Sequence, residues 1–210
     1  SEAAYVYVLP CIAGHVGADT AAVILAEDPK SFDGPLLIVD VGTNAEIVLS
    51  ADGNLFAASS PTGPALEGAQ ISCGQRATKG AIERVRINNE TLEPKFKVIG
   101  SDLWSDDPLF EEDIKEFGIT GICGSGIVEV LGEMYLAGLI ADDGSLSDLP
   151  SGIGVRTSRV FEEGRTFSYM LHRSSGHSQN REVSVTQADI RAVQLAKAAL
   201  RAGVDLLMEQ

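Results

Sequence analysis

Apolar and polar positions alternate in short bursts along this chain, and glycine-bearing turns separate the bursts. Residues 5–9, YVYVL, predict a strand closed by Pro10. Residues 17–27, GADTAAVILAE, predict a helix with small residues on one side and Val23 and Ile24 on the other. Residues 36–40, LLIVD, form an almost wholly apolar run of strand length, which suits a central strand buried on both faces. AEIVLS at 45–50, then Asp52-Gly53, then NLFAAS at 54–59 predict a β-hairpin with a type I′ turn. Three strands joined this tightly make a β-meander.

Downstream, a helical segment is predicted from Ala65 to about Arg76. IERVRI and FKVIG read as short strands around the polar turn NNETLEP. Residues 101–117 carry seven acids around Trp104 and read as a solvated loop, with a surface for a cationic partner as the alternative. Residues 124–140 predict an amphipathic helix opened by glycines, and VRTSRVF with RTFSYML predicts a second hairpin through EEG. HRSSGHSQN is a polar loop. The strongest helix runs from Thr186, a candidate N-cap with Asp189 three residues on, to the end of the chain. Ile190, Val193, Leu200, Val204 and Leu207 share one of its faces. That helix reaches the last residue with no C-cap glycine, so the chain reads as a fragment.

Composition narrows the function classes. With 210 residues, 44% hydrophobic and 22% charged, the chain is of the soluble globular kind, neither disordered nor fibrous. Thirty acids against sixteen bases give a net charge of −14, which argues against a nucleic-acid or anionic-membrane partner. No run approaches the roughly 20 apolar residues of a membrane span. Cys11, Cys73 and Cys123 are too few and too scattered for a disulfide framework, a zinc motif or an iron–sulfur cluster held by this chain alone. Free thiols fit a reducing cytosol, and the expected location is cytoplasmic. His15, His172 and His177 lack ligand spacing.

The sharpest chemical signal is LLIVDVGTNAEIVLS. An apolar strand ends in Asp40, the turn Val41-Gly42-Thr43-Asn44 follows, and the chain returns as a second strand. Such a turn aims N–H donors outward and lets backbone approach a bound group. A carboxylate at the strand end suits Mg²⁺ held through water, since magnesium keeps several waters. An ordinary hairpin turn is the competing reading. Two further glycine elements are Pro61-Thr62-Gly63-Pro64-Ala65-Leu66-Glu67-Gly68, directly after the meander, and Gly121-Ile122-Cys123-Gly124-Ser125-Gly126, each leading into a helix. Each serves equally for helix packing or for an anion at a helix start.

Asp-Val-Gly-Thr-Asn with its meander, followed by Thr62-Gly63 and Glu67-Gly68, resembles the second phosphate motif of the superfamily of acetate and sugar kinases, heat-shock chaperone ATPases and actin. GADTAAVILAE resembles that superfamily's first connecting helix. LPCIAGHVGADTAA, VDVGTNAEIVL, SSPTGPALEGAQISCGQRATKGAIERV, TGICGSGIVEVLGEM and VTQADIRAVQLAKAALRAGVDLLME are similar, in order, to the ATPase domain of the reductive activators of corrinoid proteins. The fold this implies is an α/β, ribonuclease H-like lobe with a mixed sheet, flanking helices and a small α+β insertion. The expected layout is a connecting strand and helix at 1–35, the phosphate-binding meander and helix at 36–80, an insertion with helix and hairpin at 81–185, and the last helix at 186–210.

The resemblance implies ATP and Mg²⁺ as cofactors, with Asp40, Gly42, Thr43 and Asn44 at the phosphates and Asp40 on the metal through water. It places Thr62, Gly63, Glu67 and Gly68 on a loop facing nucleotide. Gly124, Ser125 and Gly126 fall near the nucleotide or at a helix packing contact. Asp19 falls near an acid that orients water, the alternative being a first-turn acid favoured by the helix dipole. Lys197 either snorkels or points to an anion. The family's earlier Asp-Ile-Gly-Thr-Thr-type motif, its late Gly-Gly-Phe-Gly-type adenosine turn and its ferredoxin domain have no counterpart in these residues, so an iron–sulfur cluster is expected only in a longer parent chain. A corrinoid protein is the implied partner, and a homodimer stays open. A small-molecule kinase of the same superfamily and a non-catalytic interaction domain are the alternatives, since one fold hosts many functions.

Overall fold

The computed structural model describes residues 3–147, 157–174 and 180–209. His177 and the first two residues of VRTSRVF lie outside them. The chain divides into two compact units, residues 1–63 with 197–210, and residues 64–196.

The first unit holds helix α1 (Ala18–Glu27) and the meander β1 (Leu36–Val41), β2 (Ala45–Ala51) and β3 (Asn54–Ser60). The strands pair antiparallel in the order β1-β2-β3, as the alternation predicts. Asp52 and Gly53 both take left-handed backbone, with φ of 50° and 77°, as a type I′ turn requires. Two expectations need correction. LLIVD is not the strand buried on both faces: β1 is an edge strand among the described residues, with Leu37, Val39 and Val41 exposed. The central strand is β2, where Ile47, Val48 and Leu49 are buried on opposite faces. An apolar run reports two apolar faces, and not which edges have partners. YVYVL likewise forms no strand; Tyr5 is 99% and Val8 76% exposed, and among the described residues no strand offers it a ladder of hydrogen bonds.

The last helix, α4 (Gln187–Met208), contributes its final turns to this unit. Val204 and Leu207 pack with Ile47 and Leu49, and Gly203 lets the helix come close, since a Cβ there would stand 2.6 Å from Ile47 Cδ1. Ser60 Oγ donates to Ala199 O at 2.6 Å, tying the end of β3 to the helix.

The second unit holds a mixed sheet and an antiparallel sheet. In the first, β4 (Ala81–Ile87) pairs antiparallel with β5 (Pro94–Val98) and parallel with the short β6 (Gly121–Ile122). In the second, β7 (Val160–Glu163), β8 (Thr166–His172) and β9 (Val183–Thr186) run in sequence order, confirming the second hairpin. Helix α2 (Phe110–Asp113) is a single turn, and α3 (Gly124–Leu136) covers β4. The predicted helix from Ala65 to Arg76 shrinks to a 3₁₀ turn at Pro64–Glu67. Gly68 is left-handed at φ 80°, and a Cβ on Gly74 would lie 1.8 Å from Gly68 O, so the chain folds back on itself instead of continuing helically.

Both long edges of the mixed sheet are closed by non-strand groups. Beyond Ile82, the free side of β4 is met by α3: Val85 N–H donates to Glu129 Oε2 at 2.7 Å and Ile87 N–H to Glu133 Oε2 at 2.9 Å. On β5, the acidic loop exchanges two bonds at Phe96, through Ser105 N–H (2.8 Å) and Ser105 Oγ (3.0 Å). Trp104 is therefore not the centre of a merely solvated loop; Lys95 and Lys97 lie over its ring at 5.3 and 5.5 Å.

Glu129 also accepts from Arg84 and Arg86. Burial opposes its ionisation, but the bonds from Arg86, Val85 N–H and Arg84 outweigh that and hold its carboxyl below the usual range. A depressed carboxyl pKa stabilises the fold above the unfolded value of about 4.3 and loses that contribution as pH falls through the folded value. Glu129→Ala strands the buried Val85 N–H and should cost about 1–3 kcal/mol. In urea titrations the gap from the unsubstituted protein should be full near neutral pH and shrink below about pH 4. A gap independent of pH would contradict the edge-cap role.

Candidate functional site

In the first unit the candidate residues gather at one end of the meander. Asp40 is exposed near the end of β1 and stands across from Glu46 on β2. The β1–β2 turn closes with Gly42 N–H donating to Asn44 O at 3.2 Å. Thr62, just beyond β3, is buried, and its hydroxyl faces Gly42 O at 2.7 Å and Thr43 O at 3.0 Å, one proton serving both. A trans peptide points its C=O and the following N–H in opposite directions. With both carbonyls turned to Thr62, the N–H groups of Thr43 and Asn44, which share those peptides, point away from it. Consecutive N–H groups aimed one way form an anion-binding nest. Gly63, at φ 71°, supplies the left-handed step that carries the chain on from Thr62.

Asp19 lies in the first turn of α1, exposed, with Oδ1 accepting Thr20 N–H at 2.8 Å. Lys197 is exposed on α4.

In the second unit the two remaining glycine elements meet each other. A Cβ on Gly124 would stand 1.9 Å from Leu66 O and 3.3 Å from Glu67 Cα, so the start of α3 lies directly against the backbone of the Pro64–Glu67 turn. Gly126 has Ile82 O 2.3 Å from the same imaginary atom, and Gly121 has Cys73 O at 2.6 Å. Close packing accounts for these three glycines of GICGSG. Gly68 packs likewise, its imagined Cβ 2.8 Å from Gln75 O. Ser125 is exposed, with Cys123 Sγ at 3.2 Å from its hydroxyl. Packing thus fixes the position of Glu67 and Gly68 relative to the first turn of α3.

Asp189 does more than the sequence shows. The predicted cap is present, Asp189 N–H donating to Thr186 Oγ1 at 3.2 Å and Thr186 N–H to Asp189 Oδ2 at 2.8 Å. The same buried carboxylate accepts Ser72 N–H at 2.8 Å and Ser72 Oγ at 3.0 Å, fastening the loop after Gly68 to α4. A bond across 117 residues leaves no periodic trace, so only the cap half of the role is readable in sequence. Among the described residues no cluster of three or more His, Cys, Asp or Glu side chains is arranged to hold a metal, and no helix is long and apolar enough to cross a membrane.

Comparison with known proteins places this arrangement. Residues 34–210 match the family described as the C-terminal domain of RACo, the ASKHA domain. The corrinoid activation enzyme RamQ of Eubacterium limosum is 34% identical over 205 residues, covering 96% of this chain and 31% of that protein. The [Co(II) methylated amine-specific corrinoid protein] reductase of Methanosarcina barkeri is 32% identical over 171 residues, covering 76% of this chain and 31% of that protein. A solved reductive activator for corrinoid, iron–sulfur protein superposes with a TM-score of 0.78 at 30% identity, covering 97% of this chain and 29% of that one. The chain thus spans under a third of the length of these relatives. It belongs to the RACo C-terminal family and has its ASKHA fold, the fold of the actin, sugar kinase and heat-shock chaperone superfamily.

Proposed function

We propose that this chain is the nucleotide-binding part of an ATP-dependent reductive activator that returns an inactive Co(II) corrinoid protein to Co(I). The observation that carries the reading is the Thr62 hydroxyl on the carbonyls of Gly42 and Thr43, which turns the N–H groups of Thr43 and Asn44 away from Thr62 in the turn that follows Asp40. That donor set fits a phosphate, and an exposed carboxylate at the strand end fits Mg²⁺ held through water. Bound Mg·ATP would supply the free energy of phosphoryl loss. The chain's own residues do the rest: Thr43 and Asn44 bind and orient, Asp40 fixes the metal's water shell, and Gly63, Glu67 and Gly68 shape the loop that follows. Asp19 and Lys197 take the roles of water-orienting acid and anion contact. The electron comes from an iron–sulfur cluster outside residues 1–210, the partner is a corrinoid protein, and the setting is the cytoplasm.

Mg·ATP hydrolysis by the full-length protein without an acceptor supports this reading. A phosphorylated small molecule instead points to a kinase, and no nucleotide binding points to an interaction domain. Residues 1–210 alone should bind Mg·ATP weakly. Lacking even two charge-assisted hydrogen bonds, at about 1.5–3 kcal/mol each, lowers affinity by about two to four decades. Micromolar affinity of residues 1–210 by calorimetry would contradict a site completed elsewhere in the protein.

A further inference from the structure

Helix α3 carries an apolar stripe that its own core does not use. Gly126, Ile127, Val130 and Met134 are its buried residues. Val128, Tyr135 and Leu136 stand 51%, 53% and 73% exposed. With Gly132 they follow the spacing i, i+4, i+7, i+8 of a single helical face. Scattered apolar residues on a surface need no explanation, but several on one face mark an interaction surface.

Gly132 sharpens the case. Glycine inside a helix is disfavoured relative to alanine, so it calls for a packing reason. Gly124 and Gly126 have one in Leu66 O and Ile82 O. At Gly132 an added Cβ meets nothing within 4 Å, so the described chain makes no use of the missing side chain. A backbone arriving from outside would use it. Tyr135 is held in place for such an arrival, its hydroxyl donating to Asp142 Oδ1 at 2.9 Å. Past the helix end, Tyr135, Leu136, Ile140 and Ala141 continue into an open groove of about 690 Å³ that also takes in Asp142 and Asp143.

We propose that this face of α3 and the groove beyond it dock the corrinoid protein, through a partner segment with an apolar ridge flanked by Lys or Arg. The proposal rests on the activator reading above. Charge selects the occupant. The groove brings two carboxylates to the contact, and the chain carries a net −14, so a basic-flanked segment is attracted. A second copy of this chain would bring the same acidic groove and the same net charge to the contact.

Two variants of the full-length protein test this against its Co(II) corrinoid protein. Gly132→Met adds bulk where the described residues leave open space, so the melting temperature should hold or rise and ATP hydrolysis without partner should be unchanged; a fall in melting temperature gives the face to another part of the full-length chain and overturns the proposal. Leu136→Glu places a charge on the stripe. Both should weaken partner affinity, read by calorimetry, by at least about tenfold. Unchanged affinity in both folded variants overturns the assignment of this face and leaves the activator reading intact. An unsubstituted protein that hydrolyses ATP yet binds no corrinoid protein overturns both. A dimer lost in Gly132→Met with partner affinity retained gives the face to a second copy and overturns the proposal.

Discussion

Asp40→Asn in the full-length protein should slow ATP hydrolysis by about 10²–10³-fold while leaving its melting temperature unchanged or slightly raised. The substitution keeps the size and hydrogen-bonding capacity of the side chain. Asp40 is exposed and stands across from Glu46, so removing one of two like charges relieves repulsion between the strands. Its structural cost is therefore small. If Asp40 holds the metal as proposed, the functional cost should be large, because phosphoryl transfer depends mainly on positioning and on neutralising charge. If Asp40 were only turn chemistry, stability would change and the rate per folded molecule would not. Melting and steady-state hydrolysis on one preparation separate the two. Full activity in a normally folded Asp40→Asn protein removes Asp40 from the site.

Gly124→Ala should strongly destabilise the second unit. The added Cβ would stand 1.9 Å from Leu66 O and 3.0 Å from Leu66 C, both backbone atoms that no rotamer change can move. Either the start of α3 or the Pro64–Glu67 turn must shift. The expected cost is about 3 kcal/mol, the upper end for overpacking. A shift there displaces Glu67 and Gly68, so hydrolysis by the molecules that still fold should fall as well. Gly132→Ala is the internal control. It lies in the same helix with nothing within 4 Å of its Cβ, and should stabilise by up to about 1 kcal/mol. Urea unfolding of both variants decides; equal midpoints would mean that Gly124 does not hold the two glycine elements together.

Local chemistry was the readable part of this fold. The Asp52-Gly53 turn needs two left-handed residues in a row, and that demand is written in the residues themselves. The Thr186–Asp189 cap spans three residues and is equally visible. What failed were particular segments whose fate depends on a distant neighbour. YVYVL has strand composition but no ladder partner among the described residues, and LLIVD does not say that EIVLS next to it is the more enclosed strand. The stretch after Ala65 looked helical until Gly74 came to rest against Gly68 O. The candidate site divides in the same way. Asp40, Gly42, Thr43 and Asn44 follow from the motif. The two carbonyls on Thr62 come from a contact across 20 residues, and the packing of Gly124 on Leu66 from one across 58, which no spacing reveals.

The most direct test of the account is spectroscopic. The full-length protein, its Co(II) corrinoid protein and a low-potential electron donor are mixed with and without Mg·ATP, and the corrinoid absorbance is followed. The account predicts that Co(I) accumulates only when Mg·ATP is present, and that Asp40→Asn suppresses this in proportion to its loss of hydrolysis. Co(I) formation at the same rate and extent without nucleotide, in protein shown to be folded, would contradict it.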